Sequence, residues 1–156
     1  MNNKWNGLDL KTLPGHFSRR VHQLSVALFV QEVGELNLTP VQYSSLQTIC
    51  NQPGIDQKTL AKTIGYDTST IAGVIDRLEV RGLVTRRVAP NDRRARQIFP
   101  EAKGLQTLEA VVPRMLKSQD RFLAPLTSTQ RKEFMRLMKI LINAHSELSN
   151  IPPKHD

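Results

Sequence analysis

The segment from Leu60 to Leu78 constrains this chain more than any other. It reads Leu60-Ala61-Lys62-Thr63-Ile64-Gly65-Tyr66-Asp67-Thr68-Ser69-Thr70-Ile71-Ala72-Gly73-Val74-Ile75-Asp76-Arg77-Leu78. The pattern predicts two short helices, Gln57 to Ile64 and Thr68 to Arg81, separated by Gly65-Tyr66-Asp67. Gly65 permits a tight turn that sets the two helices at a steep angle, and Asp67 can cap the second. Leu60, Ile64, Ile71, Val74, Ile75 and Leu78 then form a small tri-helical core. Thr68, Ser69, Thr70 and Arg77 are left facing outward.

Short hydroxyl side chains at a helix N-terminus suit close approach to phosphates and base edges, and the free N–H groups there add favourable polarity. Arg77, about two turns on, can reach a guanine edge or the backbone. Capping chemistry alone would also explain Thr-Ser-Thr, so the neighbourhood decides. Arg77, Arg81, Arg86, Arg87, Arg93, Arg94 and Arg96 are seven arginines between positions 77 and 96, against Glu79 and Asp92, a local charge of +5 in a chain of net charge +8. Arginine clusters favour phosphate more than lysine clusters do.

Val84 to Val88 and Arg96 to Phe99 read as strands flanking Ala89-Pro90-Asn91-Asp92-Arg93-Arg94-Ala95. A projecting turn tipped by Arg93 and Arg94 is shaped to enter a minor groove, with Asp92 holding one arginine in place. A local surface pair between Asp92 and an arginine is the plainer alternative.

The remaining chain frames this centre. Residues 1–13 are polar and read as a loosely ordered arm. His16 to Gly34 is helical, with Phe17, Val21, Leu24 and Leu28 on one face. Thr39-Pro40-Val41-Gln42 carries a capping box and opens a helix that ends near Asn51. Beyond the hairpin, Leu105, Leu108, Val112 and Met115, then Phe134, Leu137, Met138 and Leu141, mark two longer helices, with a second capping box at Thr127-Ser128-Thr129-Gln130. At 156 residues and 39% hydrophobic content the core is thin, which favours association.

Other classes find little support. The longest purely apolar run, Val26 to Val30, is too short to span a bilayer, and the N-terminus does not resemble a signal peptide. A single cysteine, Cys50, excludes an intrachain disulfide, so a cytoplasmic protein is expected. No two of the eight glycines lie closer than eight residues, which excludes G-x-G-x-x-G and P-loop patterns. His16, His22, His145 and His155 show no metal-ligand spacing, and neither catalysis nor a cofactor is expected. Aromatic residues are 5% of the chain and do not cluster on strands, against stacking on single-stranded bases. The arginines concentrate on a hairpin, against a membrane surface.

Leu60 to Leu78, followed by Glu79-Val80-Arg81-Gly82-Leu83-Val84-Thr85-Arg86-Arg87 and Asn91-Asp92-Arg93-Arg94, closely resembles the MarR family of bacterial transcription regulators. The likeness covers about residues 14–148. It implies a mainly α fold with a small β-hairpin wing: a winged helix-turn-helix at about 40–100, dimerisation helices at 14–36 and 101–148, and a tail at 149–156. It implies a triangular homodimer and a pseudo-palindromic duplex operator, with recognition helices roughly 34 Å apart. Thr68, Ser69, Thr70 and Arg77 would read the major groove, with Asp92, Arg93 and Arg94 on the wing. Repression is favoured because occupying an operator that overlaps a promoter blocks polymerase. One departure stands out: Phe99-Pro100 precedes Glu101-Ala102-Lys103-Gly104, where the family usually has Leu-Thr, so the start of the next helix can differ.

An effector site is expected on the first helix. His16, Arg20 and Gln23 form a polar stripe beside the Phe17, Val21 and Leu24 face, with Arg19 and His22 on the far side of that stripe. Tyr43 can supply a ring wall and a hydroxyl. The segment Leu13 to Gln23 is similar to members governing aromatic-compound breakdown. His16, Arg19, Arg20, Gln23 and Tyr43 are therefore the candidate site for an aromatic carboxylate or its CoA thioester, whose binding releases DNA. Interhelical hydrogen bonds at a dimer base are the alternative for His16 and Arg20. Redox sensing through Cys50 and non-specific architectural DNA binding are the alternative functions.

Overall fold

The computed structural model describes residues 7, 9–90, 92–146 and 148, with the side chains of 92–95 excepted. Helices α1 (Pro14–Val33), α2 (Pro40–Asn51), α3 (Gln57–Ile64) and α4 (Thr68–Val80) are followed by a hairpin and by α5 (Ala102–Leu123) and α6 (Ser128–Ala144). Strands β1 (Ile55–Asp56), β2 (Val84–Ala89) and β3 (Asp92–Pro100) form an antiparallel sheet in the order β1-β3-β2. The mainly α fold with a β-hairpin wing is the one expected.

Local chemistry sets these boundaries. Both predicted capping boxes form: the Gln42 amide donates to Thr39 Oγ1 at 3.3 Å while the Thr39 amide donates to Gln42 Oε1 at 3.0 Å, and Thr127 and Gln130 repeat the exchange. Asp56 caps α3, accepting from the Thr59 amide at 2.9 Å. Those bonds hold the Asp56 carboxyl below the usual carboxylate range, led by the Thr59 hydroxyl. Within the expected arm, Leu10–Thr12 makes a turn of 3-10 helix, with the Asp9 side chain accepting from the Lys11 amide. Residues 1–6 and 149–156, the rest of the arm and the tail, lie outside the described residues.

Leu46, Ile49, Leu60, Ile71, Ile75, Leu78, Leu83 and Ile98 are fully buried and make one core shared by α2, α3, α4 and the sheet. Ile64, assigned to that core from sequence, is only half-buried at its edge. Strand β1 was not expected, because two residues carry no periodicity. It exists because Ile55 sits opposite Ile98 and extends the hairpin under α3. Strand β3 starts at Asp92, earlier than the expected Arg96. Val88 pairs with Arg96 but Ala89 pairs with Asp92, so the intervening residues of β3 bulge outward at the tip.

Helix α1 lies along α5 through Phe29, Val33 and Val111. Glu32 accepts from Lys117 at 3.0 Å and Arg121 at 2.6 Å, and Glu35 pairs with Arg114 at 2.9 Å. Helix α6 buries no residue within the protomer, although Phe134 meets Phe122 with ring centres 6.4 Å apart.

Pro100 ends β3 opposite Val84, and Glu101 enters α5 without capping it through its side chain. Gly104 explains the Glu-x-x-Gly turn that follows. A Cβ there would stand 2.1 Å from the Leu83 carbonyl oxygen, which itself accepts from the Glu101 amide. We expect Gly104→Ala to lower unfolding free energy by about 1–3 kcal/mol in urea titration, the usual cost of overpacking. Gly15→Ala, which meets open space, should leave stability unchanged or raise it.

Candidate nucleic-acid interface

The reading face is built at the turn between α3 and α4. Gly65 adopts φ +73°, a left-handed conformation, and the Tyr66 amide donates back to the Ala61 carbonyl at 2.9 Å. Asp67 then caps α4. It accepts from the Thr70 amide at 2.7 Å and from the Thr70 hydroxyl at 2.5 Å. The hydroxyl first, then the amide, hold the Asp67 carboxyl below the usual carboxylate range. Because its folded pKa is depressed, this stabilisation is full above the ordinary carboxylate value and is lost only as pH falls through the folded one. The cap therefore stays charged near neutrality. Gln57 Nε2 donates to the Thr68 carbonyl at 3.1 Å, tying the start of α3 to the start of α4.

Thr68, Ser69, Thr70 and Arg77 are all exposed. Thr70 and Arg77 stand two turns apart on one face with Gly73 between them, a low strip flanked by a hydroxyl and a guanidinium. Thr70 differs in one respect from its expected role. Its hydroxyl proton is committed to Asp67, so it offers DNA a methyl group and lone pairs, and it also holds the helix start in shape.

Arg86 does not face outward with the other arginines. Its Nη1 donates to Glu79 Oε2 at 2.7 Å and its Nη2 to Asp76 Oδ1 at 2.6 Å, while its backbone amide donates to Glu79 Oε1 at 2.9 Å. Two carboxylates one turn apart on α4 thus grip β2. Asp76 lies one residue before the Arg77 to Arg96 stretch. Arg81 is also internal: its Nη1 donates to the Asn37 carbonyl at 2.6 Å. Arg77, Arg87 and Arg96 remain exposed, and the Arg87 guanidinium lies 4.8 Å above the Phe99 ring. Phe99 in turn fills the space above Gly54. Asn91, and the side chains of Asp92, Arg93 and Arg94, lie outside the described residues; the backbone of Asp92 to Arg94 belongs to the bulged start of β3.

A second feature lies at the junction of α1, α2 and α5. A cleft of about 180 Å³ is lined by His22, Val26, Phe29, Tyr43, Met115 and Gln119, among others. The Phe29 and Tyr43 rings meet at 5.9 Å, and the Tyr43 hydroxyl donates to Gln47 Oε1 at 3.2 Å. Burial pushes the Tyr43 phenol up, so it remains a neutral donor. Of the expected effector residues, only Tyr43 lines this cleft. His16, Arg19 and Arg20 precede the lining stretch of α1 and Gln23 follows His22 without lining the cleft, with His16 edge-on to Phe17 at 6.0 Å. His22, assigned to the far side, lines the cleft instead. The packed face of α1 is the one carrying Phe29 and Val33, whereas Phe17 and Leu24 are 54% and 55% exposed. Cys50 is half-buried, and burial pushes its thiol up, away from the reactive thiolate. Among the described residues, no three His, Cys, Asp or Glu side chains gather as metal ligands would, and no helix is long and apolar enough to cross a membrane.

The grip on Arg86 gives a direct test. Lysine keeps the charge but lacks the fork that spans two carboxylates. We expect Arg86→Lys to cost about 1 kcal/mol of stability, since these groups are partly solvated. The same variant should weaken duplex binding by more than Arg96→Ala does, measured by fluorescence anisotropy. Duplex binding unchanged by Arg86→Lys would mean that Arg86 serves only as surface charge.

Comparison with known proteins agrees with this architecture. The MarR family profile matches residues 38–95, the span from the α2 cap into the wing. The transcriptional regulator HosA of Escherichia coli O111:H- is 32% identical over 137 residues, covering 88% of this chain and 100% of HosA. The PcaV transcriptional regulator of Streptomyces coelicolor, solved with its natural ligand, superposes with a TM-score of 0.83 at 34% identity, covering 88% of this chain and 96% of PcaV. CouR, a repressor bound to a 23-mer DNA duplex, gives 0.80 at 28% identity, covering 85% and 94%. CouR from Rhodococcus jostii RHA1 bound to p-coumaroyl-CoA gives 0.75 at 27% over the same shares. This chain belongs to the MarR family.

Proposed function

We propose that the chain is a homodimeric transcriptional repressor that binds a pseudo-palindromic duplex operator and is released by a small aromatic acid. The carrying observation is the reading head itself: Thr68, Ser69 and Arg77 exposed on a helix whose start is capped by Asp67 and whose far end is gripped to the wing through Arg86. Thr68, Ser69, Thr70 and Arg77 enter the major groove, and Arg93 and Arg94, positioned by Asp92, reach the adjacent minor groove or its phosphates. CouR holds a duplex on the same fold. The protein acts through binding equilibria rather than a chemical step, in the cytoplasm where its operator is.

Dimerisation follows from unpartnered apolar surface. Phe17 and Leu24 on α1, and Leu137, Ile140 and Leu141 on α6, are about half exposed or more in one protomer, and α6 buries nothing on its own. Helices at 14–36 and 101–148 form the shared base, the winged unit spans about 40–100, and a two-fold axis sets the two α4 helices about one DNA turn apart.

The cleft beside Tyr43 is the effector site. At about 180 Å³ it suits a single ring better than a cofactor-sized ligand; a CoA thioester could place only its acyl ring inside. Phe29 and Tyr43 stack the ring, and the Tyr43 hydroxyl and His22 meet its polar substituents. Arg19, one turn before His22 on α1, and Arg20 supply the cation for a carboxylate, with His16 and Gln23 completing the rim. Cys50 gives redox sensing little to work with.

The test is a mobility shift with DNA from upstream of the gene, non-specific competitor and a panel of aromatic acids. We expect a discrete complex that survives competitor and dissolves with one acid. Tyr43→Phe should raise the acid concentration required about fivefold, the loss of one hydrogen bond of about 1 kcal/mol, without changing affinity for DNA alone. A smear removed by competitor would establish architectural binding instead. Release only by oxidant, abolished by Cys50→Ser, would establish redox sensing.

A further inference from the structure

We propose that the cleft between α3 and the turn into α4 seats the sugar-phosphate backbone of DNA, with Lys58 and Lys62 as its cations and Tyr66 as its wall. The inference rests on the duplex-binding reading above and adds residues that reading does not use. The cleft has a volume of about 330 Å³ and is lined by Lys58, Ala61, Lys62, Tyr66, Asp67 and Thr68.

The two lysines repel one another across one turn of helix. They are one turn apart on α3 and both exposed. Like charges at that spacing destabilise a helix, and their Cβ atoms stand only about 5–6 Å apart. Lys58 lies in the first turn of α3, where the helix dipole disfavours a cation, two residues after the capping Asp56, and Lys62 lies in the last turn, where the dipole favours one. No ion pair among the described residues reaches either ammonium. Asp67 shares the cleft, but both its carboxylate oxygens are taken up by Thr70 in the cap. Two exposed ammonium groups with no ion-pair partner among the described residues leave their charge available to an external anion.

The position identifies that anion. Thr68, the last lining residue, is the first residue of α4, so a group in the cleft lies against the edge of the reading face. Each DNA strand carries a phosphate about every 3.4 Å of helix axis, so two ammonium groups one helical turn apart can engage neighbouring phosphates. Ala61 leaves room, and the Tyr66 ring, 38% exposed, offers an apolar surface to a deoxyribose. The cleft is open and supplies charge rather than directed base contacts. It therefore sets the register of α4 on the duplex and carries no sequence preference.

The experiment is a salt titration of binding by fluorescence anisotropy, using a labelled operator duplex and a scrambled duplex of equal length. For the Lys58→Gln, Lys62→Gln double variant, the plot of log affinity against log salt should be shallower by about 1.8 for each protomer engaged, at about 0.9 per lost phosphate contact. The operator-to-scrambled ratio should stay at the wild-type value, and Lys58→Arg, Lys62→Arg should restore the slope. An unchanged slope on both duplexes overturns the proposal, as does a collapsed operator preference. Wild-type binding with no operator preference would defeat the regulator reading, while the slope on the scrambled duplex would still judge the lysines.

Discussion

The fork of Arg86 between Asp76 and Glu79 is the contact on which the reading head depends. A hairpin and a helix joined by only a short turn could adopt many relative angles. One guanidinium shared by two carboxylates on α4, with the Arg86 backbone amide on the same Glu79, removes that freedom. The wing then moves with the helix. Arg87 stacked on Phe99, and Phe99 packed over Gly54, extend the lock to the base of the sheet. The basic residues left exposed stand on a unit that needs little reordering when it meets a duplex, which limits the entropy lost on binding.

A second layer of constraint sits at the other end of the molecule. Glu32 on α1 and Glu35 in the 3-10 turn that follows it (Gly34–Leu36) hold Lys117, Arg121 and Arg114 on α5, so the two long helices behave as one piece. Helix α2 bridges the two regions. Its N-terminal half lines the cleft through Tyr43, and its C-terminal half buries Leu46 and Ile49 in the winged unit. A ring entering between α1 and α2 would wedge apart elements that connect the proposed dimer base to the DNA-reading unit. In a two-fold dimer a small rotation there changes the separation of the two α4 helices, which is the quantity an operator selects.

Much of this was legible in the sequence because it rests on local chemistry. The capping boxes at Thr39 and Thr127, the turn at Gly65 and the cap at Asp67 each involve residues within a few positions of one another, and helical periodicity located α3 and α4 closely. The core of α4 with Leu60 followed from the same spacing. What escaped depended on contacts between distant segments. Arg86 looked like one more cation on a basic hairpin until Asp76 and Glu79 closed around it, and β1 had no pattern of its own to reveal it. The faces of α1 are harder to read for a related reason. Its more apolar stripe, Phe17 to Leu24, lies exposed in the protomer, while packing against α2 and α5 buries Phe29. A helix that serves both a partner and a cleft has two buried faces, and its sequence does not distinguish them.

The claim that matters most is that a rigid, two-fold pair of α4 helices reads two half-sites one helical turn apart. The direct measurement is affinity for the footprinted operator against a variant with five base pairs inserted between its half-sites, which puts the second site on the opposite face of the duplex. The account predicts that affinity falls to the level of scrambled DNA, because the paired reading heads cannot follow the rotation. Affinity retained on the rephased operator would contradict it and would mean that each protomer reads DNA independently.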